Sequence, residues 1–175
     1  MSKTALIVVD MVNSYDHPDA EKLTKSVETV LPTITDMIDT WDGPTIYVND
    51  NFGHWRSNRD DLLETALTGE FRALVEPIAP KDDAMFVVKA RHSIFFQTPL
   101  EYLLGQEKID RIMLVGQVTE QCILYTALDA YVRHFTVKVP PDAVAHIVPE
   151  LGDAALQMME RNMRAEIVPA EKCLG

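Results

Sequence analysis

Three side chains of this sequence could together carry out acyl transfer: Asp10, Lys89 and Cys122. A thiolate attacks a carbonyl or similar carbon. A carboxylate within reach of the thiol can take its proton and later pass it to a leaving amine. An ammonium group beside them holds the carboxylate in place and favours the thiolate by its charge. These roles parallel the nucleophile, base and orienter of hydrolases built from other residue types. Singly, each residue has a plainer reading. An Asp after a strand is often a cap or loop residue, a Lys there is usually a solvated end, and a free cysteine is often a small buried hydrophobe. The functional reading gains from where all three fall.

Each follows a short, unbroken apolar run, the pattern of a strand covered on both faces in a parallel sheet. Thr4 to Val9 (TALIVV) ends at Asp10, Ala84 to Val88 (AMFVV) ends at Lys89, and Ile112 to Val115 (IMLV) precedes Cys122. The carboxyl ends of parallel strands share one edge, so residues distant in sequence converge where open α/β sheets bind ligands. Further strands are expected at Thr45 to Val48, His134 to Val139 and Ala165 to Val168. A helix should run from a cap at Asp19 to about Trp41, kinked or broken at Pro32. Helical turns are expected between Leu62 and Leu74, and Asp82-Asp83 should lie in a loop. Thr98-Pro99 opens a short helix. Pro149 to Asn162 forms another, with Leu151, Ala155, Met158 and Met159 toward the core. This alternation predicts an α/β protein: one domain over residues 1–175, in three α/β/α layers around a mostly parallel sheet of about six strands.

After Val115 the chain reads Gly116-Gln117-Val118-Thr119, a polar turn, and then an apolar helix from Glu120 to Val132. Thr119 is a candidate N-cap, and Cys122 would stand in the first helical turn. A helix N-terminus offers unpaired N–H groups and partial positive charge. Both favour thiolate, and the same N–H groups could hold a developing oxyanion.

The motifs ALIVVDM with Asn13 and Tyr15, VKARHSIFFQTPLEYLL from Val88, and LVGQVTEQC from Leu114 resemble the isochorismatase-like cysteine hydrolases across nearly the whole chain. That family includes nicotinamidases and N-carbamoylsarcosine amidohydrolases. The resemblance implies an isochorismatase-like, Rossmann-like fold and an Asp-Lys-Cys triad of Asp10, Lys89 and Cys122, with Ser93 and Phe95 completing the Lys motif. It also implies a cis peptide at Val118–Thr119 and an oxyanion hole from the N–H groups of Thr119 and Cys122. Two departures stand out. The family often has Gln two residues after the Asp, where this chain has Val12. Nicotinamidases carry an Asp-x-His pair and a later His that bind a metal. Here Asp50 is followed by Asn51 and Phe52, and the nearest histidine is His54. Two potential ligands without a third are a weak metal signal, so no metal or cofactor is expected.

The 175 residues suit one sizeable core, and the net charge of −11 leaves no basic face for nucleic acid. No leader or membrane-spanning run is read in the sequence. With two cysteines, Cys122 and Cys173, and no disulfide pattern, a cytoplasmic protein is expected. The expected partners are a small-molecule substrate and further copies of the chain in a homo-oligomer. Phe52, Trp55, Phe96 and Tyr125 are candidates to line the pocket. The leading function is hydrolysis of a C–N bond in a small amide or carbamoyl-type substrate through a Cys122 thioester. The alternatives are isochorismatase-type vinyl-ether hydrolysis with Asp10 as acid, and a non-catalytic binding protein of the same fold.

Overall fold

The computed structural model describes residues 3–81 and 83–173, so Asp82 lies outside the described residues. Its strands are β1 (Thr4–Val9), β2 (Thr45–Asp50), β3 (Met85–Lys89), β4 (Arg111–Gln117), β5 (Thr136–Val139), β6 (Val144–Ala145) and β7 (Glu166–Ile167). All pair in parallel, in the order β3-β2-β1-β4-β5-β7, with β6 also on β4. The two-residue β6 was not foreseen. It takes up the end of β4, pairing with Gly116 and Gln117 beyond the Arg111–Met113 stretch that β5 covers. Two residues are too short for any periodicity to show.

Side chains alternate across the sheet and meet a different helix layer on each face. Ile7, Val9, Ile112 and Leu114 face α3 (Leu100–Gln106), α4 (Leu124–Val132) and α5 (Pro149–Met163). Leu6, Val8, Met113 and Val115 face α1 (Ala20–Thr40), α2 (Arg59–Thr68) and the short α6 (Ala170–Cys173). The three-layer architecture is therefore as the alternation predicts.

Three local expectations are corrected. Helix α1 is not broken at Pro32, because that proline sits on its exposed face, where water can satisfy the carbonyl a prolyl ring leaves unpaired. On α5, Ala155 and Met159 are buried, but Leu151 and Met158 are 54% and 46% exposed. The apolar stripe of α5 is wider than the part the sheet covers. Pro99 occupies the cap position of α3, and the Thr98 hydroxyl accepts from Leu100 N–H at 3.4 Å.

The close passage of β4 along β1 is set by Gly116. Its φ is +113°, and a Cβ there would run into the carbonyl of Val9. Only glycine fits such a position without displacing β1.

Candidate functional site

Residues at the carboxyl ends of β1, β2, β3 and β4 converge as parallel topology requires. Asp10 follows β1 with φ +56°, a left-handed conformation that Asp tolerates better than most residues. Its N–H is held by Val48 O at 3.0 Å. One carboxylate oxygen accepts from the Asp50 N–H at 2.7 Å, and the other meets Lys89 Nζ at 2.9 Å. Lys89 is fully buried through its side chain and also lies 3.3 Å from Asp50 Oδ2. Its Nζ approaches Cys122 Sγ at 3.6 Å. The structure thus brings Asp10, Lys89 and Cys122 together in one contact cluster.

The charges in this cluster are coupled. Burial raises the Asp10 carboxyl above the ordinary carboxylate range, against the pull of Lys89, and the Asp50 charge adds to the rise. Burial alone would lower Lys89, but attraction to Asp10, Cys122 and Asp50 together outweighs it and keeps the ammonium charged. Burial, then the Asp10 carboxylate, push the Cys122 thiol up, and Lys89 only partly opposes them. The helix-start argument for a resting thiolate is therefore corrected. Burial thus raises the proton affinity of the Cys122 thiol and of the Asp10 carboxyl beside it.

The reason is also local. Cys122 does not stand in the first turn of α4. It lies in a five-residue π-type turn, Thr119–Ile123, that precedes the helix. Gln121 and Ile123 N–H both bond the carbonyl of Val118, at 3.0 and 3.1 Å. Thr119 does not cap, since its hydroxyl donates to Ala145 O at 2.9 Å and so ties the turn to β6. Glu120 accepts from the N–H groups of Ile147 and Val148 and fastens the turn to the chain entering α5.

The cis peptide is one residue earlier than the resemblance implied. It joins Gln117 to Val118, not Val118 to Thr119. Strand pairing persists through Gln117, opposite Ala145, so the link leaving the strand is Gln117–Val118.

A cavity of about 240 Å³ opens onto Cys122 and is lined by Asp10, Asn13, Asp50, Phe52, His92 and Gln117, among others. Of the four expected pocket residues, only Phe52 lines it. Trp55 and Phe96 line a neighbouring cavity with Lys89, Arg91 and Gln97. Tyr125 lines neither and packs against the His92 ring at 5.4 Å between centroids. Helical spacing put Tyr125 on the cavity side of Cys122, but its ring is half-exposed and covers the His92 ring.

Asp50 and His54 do not fit a metal site. Both Asp50 oxygens are engaged, one by Lys89 and one by the Phe52 N–H at 2.7 Å. His54 faces the cavities beside the one at Cys122. Among the described residues, no three His, Cys, Asp or Glu side chains stand close enough together to hold a metal ion.

Sequence reasoning missed three supporting residues. Asn49 accepts from Val12 N–H at 3.0 Å and donates to Val12 O at 2.9 Å, fixing the first loop through its backbone where the family often has Gln. Gln117 donates to Asp10 O at 2.6 Å. His92 Nδ1 lies 3.7 Å from Cys122 Sγ. A buried amide ending an otherwise apolar strand was the available signal for the first two. Nothing in the spacing marks His92.

The isochorismatase domain family matches residues 4–172. The chain belongs to the isochorismatase family. It is 33% identical to an uncharacterized isochorismatase-family protein of Bacillus subtilis (strain 168), over 99% of each chain. Among solved structures, it resembles the N-carbamoylsarcosine amidase from Thermoplasma acidophilum at TM-score 0.69 and 27% identity, covering 97% of both chains. It resembles the nicotinamidase SaPncA from Staphylococcus aureus at TM-score 0.68 and 25% identity, covering 96% of this chain and 98% of that one. The molecule is an isochorismatase-family hydrolase of α/β fold. No helix among the described residues is long and apolar enough to cross a membrane.

Proposed function

We propose that this isochorismatase-family chain hydrolyses a C–N bond in a small amide or carbamoyl-type compound through a thioester on Cys122. The observation that carries the reading is the contact cluster itself: Lys89 Nζ lies within 2.9 Å of Asp10 and 3.6 Å of the sulfur. Burying ionisable groups costs several kcal/mol each unless partners compensate, so such a cluster is a poor structural device and a plausible chemical one. Asp10, of raised proton affinity, takes the thiol proton as Sγ attacks the carbonyl carbon. Lys89 stays charged and steadies both anions. The N–H groups of Thr119 and Cys122, in the turn that follows Val118, are the oxyanion donors in this reading. A cavity of about 240 Å³ falls below the ~300–1,000 Å³ typical of drug-sized ligands, which favours a small substrate. Relatives named for amide substrates point the same way.

The test is a screen of small amides and carbamoyl compounds, with intact-protein mass spectrometry of quenched reactions. An acyl adduct on Cys122 and dead Cys122→Ala are expected. Turnover by Cys122→Ala at the wild-type rate would sink the thioester route. A second reading is favoured by the raised Asp10 carboxyl: isochorismatase-type vinyl-ether hydrolysis, with protonated Asp10 as the acid. That reading expects Cys122→Ala to keep its activity.

We also propose that the chain forms a homo-oligomer through the outer faces of α4 and α5, where Tyr125, Leu128, Val132, Leu151 and Met158 are exposed. Light scattering should give a mass above one chain, and Leu128→Asp with Leu151→Asp should reduce it to one.

A further inference from the structure

A buried donor without an acceptor lines the cavity at Cys122. Asn13 is 6% exposed and borders that cavity. Its Oδ1 accepts from the Tyr15 N–H at 2.7 Å, which closes a tight turn. That bond also fixes which end of the amide is which, because an N–H must face an oxygen. The Nδ2 end is left over, and among the described residues it meets no acceptor. It is not sealed in the core either, and the space that Asn13 borders is the cavity at the sulfur. Buried amide N–H groups are nearly always paired, so a free one beside a cavity calls for an acceptor from outside the chain.

The donor is also held still. Asn49 grips the preceding residue, accepting from the Val12 N–H at 3.0 Å and donating to the Val12 carbonyl at 2.9 Å. A fixed donor spares a ligand the cost of ordering it. A turn alone would be served as well by Asp or Ser, and neither brings an N–H₂ group. The other amide in the cavity, Gln117, is spent: it donates to the Asp10 carbonyl at 2.6 Å, and its Oε1 meets the Tyr15 hydroxyl at 3.5 Å. Charge narrows the ligand further. Asp10, Asp19 and Asp50 line the cavity with His17 and His92, and no lysine or arginine does among the described residues. A carboxylate on the ligand would face like charges there.

We propose that Asn13 is a substrate-binding residue, whose N–H₂ group donates to a second acceptor atom on a neutral amide, beside the carbonyl that Cys122 attacks. The inference rests on the amide-hydrolysis reading of the same cavity. In that reading the carbonyl oxygen falls to the N–H groups of the turn after β4, whereas Asn13 meets the ligand from the loop after β1. A bond made alike in ground and transition states lowers KM and leaves kcat unchanged.

The test uses methoxyacetamide and butyramide, neutral amides of equal length that differ by an ether oxygen in place of a methylene. Each is measured for protection of Cys122 against iodoacetamide, read at the Cys122 peptide by mass spectrometry, so turnover is not required. In wild type, half-protection should need roughly tenfold less methoxyacetamide than butyramide, the worth of one hydrogen bond. Asn13→Asp keeps the acceptor for Tyr15 but trades the donor for an oxygen, and should abolish or reverse the preference. Asn13→Ala should bring the ratio to about one. General damage to the cavity acts on both amides and leaves their ratio unchanged. Malonamate, with a carboxylate in place of the methoxy group, should protect less than methoxyacetamide. The proposal is overturned if the two neutral amides protect wild type equally, if neither protects, if the preference survives both substitutions, or if malonamate protects best. Protection that depends on Asn13 without any acyl adduct on Cys122 sinks the thioester reading and leaves the binding role. Hydrolysis of both amides through Cys122 with equal kcat/KM does the reverse.

Discussion

The two cysteines of this chain share their burial and little else. Cys122 and Cys173 are both free, both 7% exposed, and each sits in a short helical turn. Burial pushes both thiols up. Among the described residues, Cys173 donates to the Val168 carbonyl at 3.6 Å, feels the charges of Lys138, Asp142 and Glu166, and packs in the core on the α1 side of the sheet. Cys122 has an ammonium at 3.6 Å, an imidazole at 3.7 Å and a carboxylate of raised proton affinity in reach, and it opens onto a cavity. A buried thiol becomes a candidate nucleophile through the proton acceptor and charge in contact with it, and at Cys122 the sheet's carboxyl edge supplies both next to a cavity.

The largest expected effect is on turnover. Cys122→Ala should lower kcat by about 10⁴-fold or more, as removal of a nucleophile does in other hydrolases. Cys173→Ala should leave kcat unchanged in the same assay. A comparable loss from both variants would erase the distinction. Next in size is Lys89→Met. Removing one partner from a buried ion pair costs about 3–5 kcal/mol, so urea denaturation should show a loss of that order, and turnover should vanish. Iodoacetamide should then alkylate Cys122 no faster than Cys173, because the charge that opposes the thiol's rise is gone. A Cys122 that keeps its reactivity without Lys89 would break the argument from neighbouring charge.

A smaller effect sharpens the comparison. The proposed thioester reaction needs ionised Asp10, and its carboxyl is raised by burial and by the Asp50 charge. Activity should therefore fall, as pH is lowered, at a pH above that of an ordinary carboxylate. Asp50→Asn removes the repelling charge and should move that acid limb to lower pH. An unmoved limb would mean another group sets it. The smallest effect is the stability change in Cys173→Ala, about 1 kcal/mol from the lost packing of one small side chain, read from the urea midpoint.

Much of the fold was legible because parallel strands buried on both faces must be apolar throughout. The runs ending at Asp10 and Lys89 therefore announced themselves. The continuity of α1 past Pro32 and the exposure of the outer face of α5 were not legible for the opposite reason. Whether a position on a helix meets the sheet or water depends on how wide a face the sheet covers, and periodicity does not carry that width.

The sequence by itself determined the strand and helix alternation, the family, and the three side chains that end up beside one another. It could do so because strand direction alone assigns each strand's last residue to one edge. Only the tertiary structure decided how those groups act. Burial at the edge raises the Cys122 thiol, Asp50 contacts Lys89, a π-type turn instead of the helix proper carries Cys122, and the neighbouring loop brings His92 to the sulfur. Proton affinity follows from desolvation and distance, and both come into being only when segments far apart in the chain are packed together.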